Sequence, residues 1–381
     1  MSKDTLMYCC QSATDAGHIQ RALAIAGELA EYFSVSILLG DSVVDTIVAP
    51  DGVDLVRLQT QQRPETVLRL FDLLKPRVVA IDSFPFQQYQ LKQEFLPLIV
   101  AARSGRYGQA LVACITDGVL VNNSTFNGKR VDDTADLLDR FFDIAVVRSD
   151  PVFARLEEFF QPGNTLHTPL YHTGFVTQHN NTPGSAANRD RDGILVSAGC
   201  GAASMALYTS AIEAHRMLQR TLPIPMTIDA ETRLADSDWQ ALRSLAAGLP
   251  DLTLRRDSPR ARADMAGARW SISQCGYDTA VDAIQTQTPS LFVPSSDPNR
   301  RDQIERARRL VSWGAGRLLM PRHMNTASLV NEIHQLTKFE PRGMSFDMNG
   351  AANTAQLISQ IVYDDNYAPV SAHSANEKRL H

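Results

Sequence analysis

The sequence predicts an α/β protein made of two doubly wound domains, and three observations predict it. Short apolar runs alternate with amphipathic helical patterns from end to end, which is the pattern of parallel sheets with crossover helices. The apolar runs stop abruptly at small or polar residues, as at Asp82-Ser83, Thr116-Asp117-Gly118, Gln274-Cys275-Gly276 and Ser295-Ser296-Asp297. The series is interrupted once, by the polar stretch TQHNNTPGSAANRDRD at 177–192, which reads as a linker. A chain of 381 residues is right for two domains, and its 44% hydrophobic content is ample for two cores.

In chain order, Leu6 to Gln11 reads as a buried first strand and Ser12 to Gly17 as a small polar loop. His18 to Tyr32 is a helix, with Ile19, Leu23, Ala26, Leu29 and Ala30 at helical spacing. Strands are expected at Val35–Leu39, Val53–Leu58, Arg77–Ile81, Ala110–Ile115 and Ile144–Val147, and helices at Pro64–Leu74 and Leu91–Ala102. Thr173 to Val176 closes this half. The second half opens with the strand Ile194–Ser197 and runs through Ala203–Leu218, Met226–Ile228, Asp238–Ala246 and Leu252–Leu254. Its centre is a doubled unit of strand, polar turn and helix: Trp270–Ser273 then Asp278–Ile284, and Ser290–Pro294 then Asp302–Leu310. A strand at Arg317–Met320 and helices at Ala327–Leu336 and Ala351–Tyr363 complete it, and the tail 368–381 has no apolar periodicity and should fray. The expected domains are therefore 1–176, a linker at 177–192, 193–350, and a terminal helix and tail at 351–381.

Composition excludes several classes. A net charge of −5 argues against a nucleic-acid partner, which needs a concentrated basic surface. The five cysteines are an odd count without metal-ligand spacing, and they suit a reducing, cytoplasmic location. The beginning MSKDTLMYCC has no apolar run of signal-peptide length, and no stretch reaches the roughly 18 apolar residues of a membrane span.

In parallel sheets ligands sit beyond the carboxyl ends of the strands, beside helix N-termini. That rule selects the candidates. His18 opens the first helix, where the positive end of the dipole should favour a neutral imidazole able to act as a base; a cap or a solvent-facing ring is the plainer alternative. Asp82 and Asp117 end two strands and could orient a hydroxyl, act as base or cap the next element. In the second half, Gly199-Cys200-Gly201-Ala202 would let backbone approach a phosphate. Arg255 and Arg256 follow a strand and could reach phosphate or lie in a solvated loop. Cys275-Gly276 forms a turn, Asp282 lies one helical turn further on, and Asp302-Gln303 could hold several hydroxyls at once. An Asp-x-Asp motif, Asp190-Arg191-Asp192, falls in the linker and before a strand, so a metal-independent site with no metal ligands is expected. Asp143 and Asp150 read as structural. Phe84, Phe86, Tyr89, Phe95 and Leu96 are either an exposed apolar patch or core.

The constellation across 191–335 resembles the donor-binding half of the GT-B glycosyltransferases, and most closely the MurG-like enzymes that include the lipid II-forming peptidoglycan N-acetylglucosaminyltransferase. In that family an acidic residue six positions after the turn glycine binds the nucleotide ribose, as Asp282 follows Gly276, and an Asp/Glu-Gln or Gln-Gln pair binds the donor sugar, as Asp302-Gln303 would. The Gly-His that opens the first helix is also similar to a MurG-like UDP-sugar hydrolase of pseudaminic acid synthesis, GHIKR against GHIQR here, although Asp15 and Ala16 replace the family's glycines. The resemblance implies two Rossmann-like domains facing across a cleft, with the C-terminal helix returning to the first domain. It implies transfer of a hexosyl or N-acetylhexosaminyl group from a nucleoside-diphosphate sugar, with inversion and no further cofactor, to a saccharide or lipid-linked acceptor. A cytoplasmic enzyme, with or without peripheral contact at the inner membrane face, follows from the same likeness. Hydrolysis of the nucleotide sugar and a non-catalytic scaffold role stay open.

Overall fold

The computed structural model describes residues 3–10, 16–40, 47–58, 63–120, 128–177, 191–199, 201–231, 233–256 and 261–364. They form two compact units, Met1–Asn181 with Phe346–His381, and Thr182–Ser345.

The first unit is built on seven parallel strands: β1 (Thr5–Cys10), β2 (Ser34–Gly40), β3 (Val53–Leu58), β4 (Val78–Asp82), β5 (Leu111–Asp117), β6 (Ile144–Arg148) and β7 (Leu170–His172), in the order β3-β2-β1-β4-β5-β6-β7. The order reverses between β1 and β4, the switch point where doubly wound sheets open a crevice at their carboxyl edge. Strand residues are buried on both faces, so the strands read as continuous apolar runs. On one face α1 (Ala16–Leu29) packs with Leu6, Tyr8, Ile37 and Val146. On the other, α2 (Arg63–Leu74), α3 (Lys92–Arg103) and α4 (Gly128–Phe141) cover Met7, Val79, Ile81 and Val112. Two of these elements, α4 and β7, are absent from the sequence reading. Seven of the fourteen residues of α4 are charged, which dilutes its apolar stripe, and β7 is only three residues long.

The second unit has six parallel strands: β8 (Asp192–Ala198), β9 (Met226–Ala230), β10 (Leu252–Arg256), β11 (Ala268–Ser273), β12 (Ser290–Phe292) and β13 (Gly316–Leu318), in the order β10-β9-β8-β11-β12-β13. Its helices are α5 (Ala202–Leu218), α6 (Asp236–Ala246), α7 (Ala261–Gly267), α8 (Tyr277–Thr286), α9 (Asp302–Ser312) and α10 (Thr326–Leu336). Val196, Ile228, Ile272 and Leu291 form its core with Leu207, Ala211 and Ile333. The seven-residue α7 is also missing from the sequence reading.

The last helix, α11 (Gly350–Tyr363), belongs to the first unit. Ala355, Ile358 and Ile361 join the core beside α1, and Tyr363 stacks on Phe33 at 5.6 Å between centroids. The return begins at Phe346, whose ring meets Phe153 at 5.5 Å. Expected features at 178–190 and 365–381, the linker and the tail, lie outside the described residues. Phe84, Phe86 and Phe95 are fully buried, packed against one another and against Phe160, so that run is core; Tyr89 and Leu96 are half-buried beside it. Among the described residues no helix is long and apolar enough to cross a membrane.

Candidate active site

Each unit gathers polar groups at the carboxyl edge of its own sheet. In the first unit the organising group is Asp82, the fully buried last residue of β4. Its Oδ1 lies 3.0 Å from His18 Nε2 and accepts from Ser83 Oγ at 2.9 Å; its Oδ2 accepts from Tyr8 Oη at 3.0 Å. Arg148, fully buried at the end of β6, donates to both oxygens at 2.9 and 3.1 Å, and its Nε donates to Asp117 Oδ1 at 3.0 Å. Ser83 supports this through its backbone. At φ +62° it turns the chain sharply after β4 and brings Oγ to 3.4 Å from His18 Nε2. Left-handed backbone at a non-glycine residue costs free energy and concentrates at functional sites.

These contacts revise two expectations. The imidazole of His18 is not neutral by default. Burial works against its charge, but the Asp82 carboxylate outweighs burial and pushes it up to about 10. Nδ1 lies 3.4 Å from Arg21 Nη2, a long contact that opposes a charged ring less than a carboxylate at 3.0 Å favours it. Asp82, in turn, is no free base. Burial would raise it, but Arg148 and His18 hold it well below the usual carboxylate range. Asp117 is buried and committed to Arg148. Cys10, His18 and Asp82 do bring three ligand-type atoms within 4.8 Å of one another. With the Asp82 oxygens already occupied by Arg148, Tyr8 and Ser83, this is an ion-pair cluster. Asp143 and Asp150 are structural as expected: Asp143 holds Arg103 and the Val112 N–H, and Asp150 the Asp347 N–H.

In the second unit the turn after β8 leads into α5 through Gly201, at φ +100°, a conformation that glycine alone adopts cheaply. No side chain caps α5 there. Tyr208, buried in α5, ties the turn from below: its hydroxyl donates to the Ala198 carbonyl and accepts from the Ala198 N–H at 3.1 Å. Gln274 Nε2 donates to Ser204 Oγ at 3.2 Å, joining the start of α5 to the turn after β11. Ala202 is exposed at the first position of α5, and Cys200 lies outside the described residues.

The turn after β11 ends at Gly276, the N-cap of α8, also without a side-chain cap. Asp282 is half-buried on α8, and among the described residues its carboxylate takes no hydrogen bond. Burial, with Asp278 adding repulsion, raises it to about 7. Asp302 and Gln303 open α9. Gln303 Oε1 accepts from the Ser295 N–H at 2.8 Å, which leaves its NH₂ end as the donor. Asp302 pairs with Arg306 at 3.1 Å, and buried Arg306 donates to the Cys275 carbonyl at 2.9 Å, so one guanidinium joins the two turns. Cys275 therefore acts through its backbone; burial pushes its thiol up to about 12. Arg255 and Arg256 lie on β10 and pair with Asp264 at 3.1 Å and Asp236 at 2.7 Å. Asp236-Ser237-Asp238, an Asp-x-Asp passed over in the sequence, opens α6.

The sequence reading also missed Tyr8, Arg148 and Arg306. Arg306 had a visible signal, its i,i+4 spacing from Asp302. Tyr8 sat inside an apolar strand and Arg148 at the end of one, and only the folded register brings them to Asp82.

Residues 250–361 match the Glycosyltransferase family 28 C-terminal domain, a span that holds Gly276, Asp282, Asp302 and Gln303. No curated protein matches the chain. Among solved structures, MurG of Acinetobacter baumannii is similar over 94% of this chain and 99% of its own, with a TM-score of 0.58 and 16% identity. CalG4, the calicheamicin glycosyltransferase, is similar over 94% and 95%, at 0.58 and 14%. The spinosyn rhamnosyltransferase SpnG, solved with thymidine diphosphate, is similar over 94% and 95%, at 0.54 and 15%. At such identities the likeness is one of fold. Residues 250–361 are thus similar to the C-terminal domain of glycosyltransferase family 28, and the chain as a whole shares the fold of MurG and other GT-B glycosyltransferases.

Proposed function

We propose that this protein transfers a sugar from a nucleoside-diphosphate donor to an acceptor hydroxyl, without a metal or other cofactor. The observation that carries the reading is Asp282, a half-buried carboxylate that takes no hydrogen bond among the described residues, set within the matched family domain. A ribose diol supplies the donors that such a group lacks. The N-termini of α5 and α8, uncapped by side chains, suit a diphosphate, through N–H groups and the positive end of the dipole. The Gln303 amide and Asp302 are the groups assigned to the sugar, hexosyl or N-acetylhexosaminyl. The departing diphosphate would be stabilised by the same fixed dipoles.

On the acceptor side His18 is the base. Nε2 is held by Asp82, which fixes the ring and stabilises the imidazolium formed when the ring takes the hydroxyl proton. Inversion follows from a single displacement of this kind. A saccharide or a lipid-linked sugar fits the acceptor role, the latter with contact at a membrane face.

Pure protein incubated with a panel of nucleotide sugars tests the proposal. Turnover that requires an added acceptor supports it. Free sugar released without an acceptor makes the protein a hydrolase, and binding without turnover makes it a scaffold.

A further inference from the structure

We propose that Arg148 is a positioning residue for His18: held between Asp82 and Asp117, its guanidinium fixes the Asp82 carboxylate, and that carboxylate fixes the imidazole. The proposal rests on the reading of His18 as base. The groups run laterally across four neighbouring strands, with Tyr8 on β1, Asp82 on β4, Asp117 on β5 and Arg148 on β6. Asp117 and Arg148 are direct partners in the β5–β6 register, so the sheet itself sets their spacing.

The geometry leaves the carboxylate no freedom. Oδ1 receives His18, Ser83 and one Arg148 nitrogen; Oδ2 receives Tyr8 and the other. That is five donors on a group with about four lone-pair sites. Rotating the carboxylate breaks both arms of the guanidinium fork at once, and the Nε bond to Asp117 stops the fork from turning with it. A lysine offers a single ammonium and cannot reproduce this arrangement.

Stability alone is a poor reason to bury such a group. An ion pair taken wholly out of water is often no more stabilising than apolar residues of the same volume. The arrangement does fix the direction in which His18 is held. His18 faces Cys10 on β1, Arg21 on α1, Asp82 at the end of β4 and Ser83 just after it; Tyr8, Arg148 and Asp117 reach it through Asp82.

The test is an NMR titration of the His18 ring in wild type, Arg148→Met and Asp117→Asn, together with their kinetics. Removing the cation should let His18 keep its proton to higher pH, and removing the anion should make it lose the proton at lower pH. Shifts in opposite directions are not what general loosening of the fold produces. Asp117→Asn still offers an oxygen to Arg148 Nε, so it tests the idea even where Arg148→Met does not fold. In both variants kcat should fall by at least about tenfold, as for a misplaced catalytic group, with the donor KM nearly unchanged. An unshifted His18 titration, shifts in one common direction, or an unchanged kcat in folded variants each overturn the proposal. Failure of the base reading is seen separately, as full turnover by His18→Ala, and leaves the titration result standing.

Discussion

The two polar edges are built on opposite plans. Around Asp82 the donors outnumber the acceptor sites, and the cluster holds its shape with no ligand. Around Asp282 a carboxylate is set half-buried without a donor among the described residues, and no side chain caps the N-termini of α5 and α8. A finished cluster of this kind orients groups for chemistry, whereas an unfinished one has affinity to give to a ligand. On the proposed function the first edge would serve catalysis and the second donor recognition, and that division can be broken by experiment.

The largest effect is expected at His18. General base catalysis contributes about a hundred- to ten-thousandfold, so His18→Ala should lower turnover by that order while nucleoside diphosphate binding stays the same. His18→Asn keeps polarity without basicity and should fail equally; an active Asn variant would reduce His18 to positioning. In wild type the rate should climb with pH toward the His18 limb near 10, because only the ring that has lost its proton accepts another. A rate that falls over that range would turn the base into a cation.

At Asp282 the loss should appear in affinity. A hydrogen bond to a charged group contributes roughly 1.5–3 kcal/mol, so Asp282→Ala should weaken nucleoside diphosphate binding at least about tenfold. Calorimetry on the folded variant measures this, and unchanged affinity removes Asp282 from the ribose site.

A smaller effect sharpens the same point. A carboxyl raised to about 7 binds a proton on folding, so the stability it contributes is lost as pH rises toward 7. Ribose hydroxyls favour the carboxylate, so ligand binding releases that proton. Affinity should therefore rise as pH climbs through about 7 and level off above, and Asp282→Asn should flatten the dependence.

The smallest expected difference is at Gln303. Gln303→Ala should weaken the nucleotide sugar more than the bare nucleoside diphosphate, with some loss for both, because Gln303 also holds the Ser295 N–H. Equal losses would make its role purely that of a loop tie.

How much of this was legible follows the same division. Gly276, Asp282 and Asp302-Gln303 lie close together along the chain, so their spacing shows in the sequence. The two sheets were also legible, because parallel strands buried on both faces read as unbroken apolar runs. The Asp82 cluster was not, since Tyr8 and Arg148 lie 74 and 66 residues from it and meet it only through strand register. His18 was found by position, but its charge was misjudged, because the field of a helix end is weaker than a carboxylate at 3.0 Å. The ion-pair partners of Arg255 and Arg256, Asp264 and Asp236, come from other elements and were not legible either.

The return of α11 to the first unit has a consequence for how the protein is made. A ribosome releases the chain from its N-terminus, and domains tend to fold as they emerge. Here the first unit lacks Ala355, Ile358 and Ile361, which cover α1, until the whole of the second unit has been synthesised. The second unit, 182–345, is complete earlier. The order of completion thus inverts the order of sequence, and nascent chains stalled near residue 345 should present a finished second unit beside a first unit whose apolar face is still open to chaperones.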